Sequence, residues 1–162
     1  LKAFHEGLLS TYGETIKPRT FDLYFKEIDR GELTYDGWKI IVEPLLHSMH
    51  SIGFRIESHD GRTLTYSGDT DYCDGIIRLA RKVNTLILEC SFPDDQKVEG
   101  HLTPQLCARI ACESECERLI LSHFYPVCDA SIKKHNKDLL KKLKNIYNGD
   151  IIFAEDFDRF TI

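Results

Sequence analysis

The chain has 162 residues, 42% of them hydrophobic and 29% charged, the make-up of one soluble globular domain rather than a disordered segment. No apolar run reaches the roughly 18 residues of a membrane span, and LKAFHEGLLS at the amino terminus lacks the basic head and apolar stretch of a secretory signal. A net charge of −5 gives no general attraction to nucleic acid and leaves only local basic patches to bind it.

In chain order, Leu1, Phe4, Leu8 and Leu9 have helical spacing, and Gly13 supplies a stop, so residues 1–12 read as a helix. FDLYFKEI (21–28) alternates like a strand, and Asp36-Gly37 marks a hairpin turn before WKIIVEPL. IGFRIES and RTLTYS pair around Asp60-Gly61. The rhythm then changes to helix CDGIIRLARKV, strand TLILEC, helix PQLCARIACESEC, strand RLILSHF and a basic amphipathic helix over 131–147. DIIFAED and RFTI close the chain as short strands. Hairpins followed by β-α-β-α-β give an α/β fold: one mixed sheet in a single domain, 1–162, with helices on one face.

Cys73, Cys90, Cys107, Cys112, Cys116 and Cys128 include no CxxC pair, so zinc-ribbon and thioredoxin readings lose their signature. They read as small packing residues in a reducing cytosol, with a thiolate cluster of Cys107, Cys112 and Cys116 as the alternative. The lysines at 131–147 read as a solvated helix face rather than an RNA-binding surface.

The chemistry gathers at strand ends. LTYSGDT puts Asp69 just after an apolar strand, beside Gly68; RLILSHF does the same for His123; EPLLHSMHS puts His47 and His50 after WKIIVEPL. Metal-competent side chains at the ends of neighbouring strands are how a sheet-edge metal site is built. In GHLTPQLCARI, Thr103 suits a helix N-cap and Pro104 the first helical position, which leaves His101 one step outside, free to face the site.

From about Gly37 onward the chain resembles the C-terminal part of the metallo-β-lactamase superfamily, especially its ribonuclease Z-like branch. The motifs carrying the resemblance are HSMHSIGFRIE (47–57), YSGDT (66–70), LILEC (86–90), GHLT (100–103) and LILSHF (119–124). The resemblance implies a four-layer αββα sandwich, of which this chain is the C-terminal portion. It also implies two divalent metals, most simply Zn²⁺, with His47 and Asp69 on one, His123 on the second and Asp69 bridging. His50 matches no ligand of the family and reads as a loop histidine.

The family's upstream H-x-H-x-D-H motif has no counterpart here, since His5 is the only histidine before His47. Two ligands per metal is fewer than a catalytic zinc uses, so the chain by itself is expected to bind metal poorly and to be inactive. It is read either as part of a longer enzyme or as a degenerate, metal-free member serving as an interaction or dimerisation module. The long arm with which ribonuclease Z enzymes grip tRNA is replaced by the turn at 58–62, and FYPVCDA follows His123 where those enzymes carry a Ser- and Arg-bearing segment. The expected function is therefore hydrolysis of a phosphodiester or other ester by a cytoplasmic protein, with tRNA 3′-end maturation a minority reading. His101 is the expected general acid or charge stabiliser, and Glu89 either holds its tautomer or caps a nearby amide. An apolar sheet face left without a partner makes a homodimer a further expectation.

Overall fold

A computed structural model describes residues 2–16, 20–22 and 24–161. Leu1, Leu23 and Ile162, on which parts of the expected first helix and two strands fall, lie outside the described residues. Among the described residues, seven strands form one sheet in sequence order: β1 Gly31–Tyr35, β2 Trp38–Leu45, β3 Ser51–Glu57, β4 Thr63–Tyr66, β5 Thr85–Glu89, β6 Arg118–Ser122 and β7 Asp150–Phe153. The helices are α1 Lys2–Tyr12, α2 Asp74–Leu79, α3 Pro104–Ser114 and α4 Pro126–Lys144. Pairing is antiparallel from β1 to β4 and parallel from β4 to β7. This is the mixed α/β sheet expected.

Register separates the two faces. One row runs Ile41, Arg55, Thr65, Leu86, Leu119, Ile151, and the next includes Leu88, Leu121 and Phe153. From β5 onward this face packs with Ile76, Ile110, Leu143 and other helical residues into the core. The opposite row is Val42, Phe54, Tyr66, Ile87, Ile120, Ile152, apolar across six strands. A sheet that is apolar on both faces is built to be covered on both.

Local chemistry explains the corrections. FDLYFKEI is not a strand at its described residues. The place beside β2 goes to GELTY, because the tight turn at Asp36-Gly37 pairs Tyr35 with Trp38 and so fixes the register of the residues adjoining it. RFTI is likewise unpaired where described. α4 begins at Pro126 rather than residue 131, with proline in its first turn and Tyr125 as N-cap. Thr103 occupies the N-cap of α3 but makes no side-chain cap. Asp94 does so instead, accepting the Gln105 N–H at 3.0 Å.

The six thiols are free, with Cys90, Cys107, Cys116 and Cys128 buried and Cys112 exposed. Cys107, Cys112 and Cys116 form no metal cluster among the described residues. Cys107 donates instead to the Glu89 carbonyl (3.2 Å) and Cys116 to the Tyr147 hydroxyl (3.6 Å). Hydrogen bonding to Cys107 and burial push the Cys90 thiol well above its ordinary range, and burial raises Cys107 and Cys116, as befits inert packing residues.

Candidate metal and acid–base site

Two antiparallel steps make β2 run with β4, and β4 to β7 are parallel, so β2, β4, β5 and β6 end at one edge of the sheet. His47, Asp69, Glu89 and His123 all sit at or just beyond those ends. Backbone bonds tie the emerging loops together: Asp71 N–H to the Leu46 carbonyl (2.6 Å), Cys90 N–H to Ser122 (2.8 Å) and Tyr125 N–H to Ser91 (3.2 Å). Gly68, at φ 63°, makes the turn that delivers Asp69; a Cβ there would stand 3.1 Å from the Ile52 carbonyl oxygen. His123 takes the same left-handed region at φ 57°, an uncommon state for a side-chain-bearing residue and one typical of functional loops.

Five expected site residues lie along this edge, but among the described residues the group at mutual metal distance is Asp69, Glu89 and His101 rather than the expected His47, Asp69 and His123. His123 Nε2 lies 3.3 Å from Asp69 Oδ1, both side chains nearly half-exposed. Ligand atoms of Asp69, Glu89 and His101 lie within 4.8 Å of one another. His101 Nδ1 is 3.0 Å from Glu89 Oε1, and the His47 ring stands edge-on to His101 with centroids 5.1 Å apart. Met49 N–H donates to His47 Nδ1 at 3.2 Å. His50 stays outside the group, exposed and paired with Asp29 at 3.1 Å.

Glu89 is 2% exposed and its acceptor capacity is used. Oε1 takes the Thr70 N–H (3.1 Å) as well as His101, and Oε2 takes the Ser91 N–H (3.0 Å) and hydroxyl (2.7 Å). Such a carboxylate has little acceptor capacity left for a cation, although it lies at metal distance from Asp69 and His101. With Glu89 accepting, Nδ1 of His101 is the donor and Nε2 is the nitrogen presented to the site. The Asp69 carboxylate, by contrast, has His123 as its one ion-pair partner among the described residues.

Phe92 and Tyr125 stack at 4.8 Å and 24°, and Tyr125 stands edge-on to both His101 (6.0 Å) and His123 (5.8 Å). A cleft of about 930 Å³ opens beside His123, bounded also by Lys133, Asn136, Phe153 and Phe157. The sequence reading missed Asp71, whose carboxylate accepts from Tyr72 N–H (2.8 Å), Lys97 Nζ (2.7 Å) and Gly100 N–H (2.9 Å). Burial alone would raise it, but the Lys97 ammonium and the two amides outweigh burial and hold it below the usual carboxylate range. Its one sequence signal is a second acid two positions after Asp69.

The family model described as the beta-lactamase superfamily domain matches residues 24–124. The chain belongs to the metallo-β-lactamase superfamily. An uncharacterised protein of Mycobacterium tuberculosis is 27% identical over 125 residues, 76% of this chain and 44% of that protein. Ribonuclease Z of Myxococcus xanthus is 33% identical over 106 residues, 63% of this chain and 33% of the enzyme. The chain thus spans less than half the length of these curated relatives. Among solved structures, the metallo-β-lactamase fold protein YhfI of Bacillus subtilis has a TM-score of 0.70 at 24% identity, over 88% of this chain and 57% of that one. The short form of human tRNase Z has a TM-score of 0.58 at 26% identity, over 78% and 44%.

Membership in the metallo-β-lactamase superfamily implies a divalent-metal site, and the donor set fits one. A half-exposed carboxylate whose nearest partner is an imidazole, at the shared edge of the sheet, is open to a cation. No helix among the described residues is long and apolar enough to cross a membrane.

Proposed function

We infer that this chain carries the bridging-carboxylate and general-acid part of a metal-dependent hydrolase centre acting on a phosphodiester or other ester. The observation that supports it most is two adjoining pairs with opposite accessibility. Glu89 is buried, saturated with hydrogen bonds and holds the partly buried His101, while the Asp69–His123 pair is open. Asp69 and His123, with His47, would hold two divalent ions, most simply zinc. Bound metal supplies an activated water and polarises the electrophile. The chain's own residues do the rest. Glu89 fixes His101 through its Nδ1–H, and from the imidazolium form the Nε2 proton passes to the leaving oxygen, leaving the neutral ring still bonded to Glu89. Phe92 and Tyr125 flank that ring and limit water around it. The apolar row from Val42 to Ile152 supports a second sheet, or a second copy, packed on that face, and hence the reading of residues 1–162 as the C-terminal portion of a four-layer sandwich.

Cleavage of tRNA 3′ ends is the second reading, favoured by relatives named ribonuclease Z. Against it, β3 and β4 are joined only by residues 58–62, with no room for an RNA-gripping arm there. Metal content per chain, measured alongside turnover of bis-nitrophenyl phosphate and of a tRNA precursor, tests both. Asp69→Ala should lose metal and activity together. His101→Ala should keep metal and lose ~10²–10⁴-fold in rate. Equal metal loss in both variants of the intact enzyme would overturn the division of roles, and an intact wild-type protein that binds no metal would be an interaction module.

A further inference from the structure

Asp71 takes no part in the chemistry proposed above, yet three site-bearing segments meet on it. Its backbone N–H bonds the Leu46 carbonyl next to His47 at 2.6 Å. It stands two residues after Asp69 in the same loop. Its carboxylate holds the Gly100 N–H next to His101 at 2.9 Å and Lys97 of the same loop at 2.7 Å. Gly100, at φ 86°, lies so close to His47 that a Cβ would stand 3.3 Å from the ring's Cδ2. Residues 95–99 before it are exposed while Gly100 and Leu102 are buried, so the exposed stretch has no packing of its own and enters the core at Gly100. The Asp71 side chain is 17% exposed, and its three donors reach it from its own loop and from the loop bearing His101.

We propose that Asp71 is a positioning residue: through its carboxylate it sets Gly100 against His47 and thereby places His101 over the Asp69–His123 pair. The proposal rests on the functional reading for its consequence in catalysis, but not for its structural content. A charged, partly buried acceptor with three donors confines a loop more tightly than neutral turn bonds do. Partners of this outer kind typically change metal affinity or activity by ~10–100-fold when removed.

The test compares Asp71→Ala, Asp71→Asn and Lys97→Met by amide hydrogen exchange and histidine-ring NMR, together with kcat and KM for bis-nitrophenyl phosphate on the intact, zinc-loaded protein. In Asp71→Ala, Gly100 amide exchange should accelerate at least ~10-fold relative to the core amide of Leu121, the His47 and His101 ring signals should shift, and kcat should fall more than KM changes. Asp71→Asn keeps an acceptor for Gly100 and should recover part of both effects. Lys97→Met, on the surface, should show a weaker form of the Ala result, and keeps the test available if Asp71→Ala does not fold. Unchanged Gly100 and His101 signals would overturn the proposal, as would loss of protection spread evenly over Gly100 and Leu121. If the intact wild-type protein hydrolyses no ester while Asp71→Ala still frees Gly100, the hydrolase reading falls and the positioning role stands.

Discussion

The two halves of the sheet solve the same packing problem by different means. From β5 to β7, the helix-facing side is a dry layer in which Leu86, Leu88, Leu119 and Leu121 are fully buried under α3 and α4. From β2 to β4, the corresponding row carries Arg55 and Thr65, and polar bonds replace leucines. Arg55 donates to the carbonyls of Leu79 (3.2 Å) and Arg81 (2.7 Å) and to Glu57 (2.7 Å), and Thr65 also donates to Leu79 (2.9 Å). These strands therefore finish the carboxyl end of α2, which has no intrahelical partners for its last carbonyls. Parallel strands need long crossovers that lay helices over them, whereas hairpins do not. The polar half depends on directional bonds and the parallel half on volume. The site lies along their common edge, and Asp69 follows β4, the strand where the pairing changes.

The difference is open to direct tests. Leu121→Ala should produce the largest loss, ~2–5 kcal/mol by urea unfolding, because a fully buried leucine leaves a cavity that the parallel layer cannot close. A loss below 1 kcal/mol would mean that this half is as pliable as the other. Gly68→Ala should cost ~1–3 kcal/mol from left-handed strain and crowding on Ile52, and should displace Asp69 enough to lower metal content more than Leu121→Ala does. Equal metal loss in the two variants would show that Gly68 has no special hold on the site.

How much of this was legible beforehand follows the same division. His47, Asp69, Glu89 and His123 could be read because each stands at the end of an apolar strand, and the core strands TLILEC and RLILSHF because parallel strands are continuous apolar runs. FDLYFKEI misled because alternation does not say whether a neighbouring edge is free; a two-residue turn had already assigned that edge to GELTY. Asp71 was missed because its three side-chain partners are remote or backbone groups, which no spacing rule registers. The stacked pair of Phe92 and Tyr125, 33 positions apart, was missed for the same reason.

Smaller effects sharpen the contrast. Arg55→Met should cost ~1–3 kcal/mol, because the carbonyls it serves lose a charged donor, and should raise hydrogen exchange in α2 more than in α3. Equal change in both helices would remove the special role given to the polar ties. Last, Tyr147 is raised above its ordinary value of 10.0, chiefly by burial and then by its contact with Cys116. A group whose folded pKa is raised contributes stability that is complete below its unfolded value and is lost as pH rises beyond it. Thermal stability should therefore fall as pH climbs past about 10, the unfolded tyrosine value. Tyr147→Phe should flatten that fall while costing ~1 kcal/mol at pH 7 from the lost hydrogen bond to the Cys116 carbonyl. An unaltered alkaline slope would assign it to the other raised groups, the buried thiols, Tyr72 and Lys133.

The strand directions that gather the site at one edge also send Asp36-Gly37 and residues 58–62 to the other. The molecule thus has a working rim and a silent rim, separated by the length of its strands. Exposed Asp60 and Gly61 on the silent rim are a natural place to graft a dye, a surface tether or a reporter domain. A molecule anchored there would present its histidines to solvent in one orientation, and the loops of the working rim could be exchanged for others without re-laying the sheet beneath them.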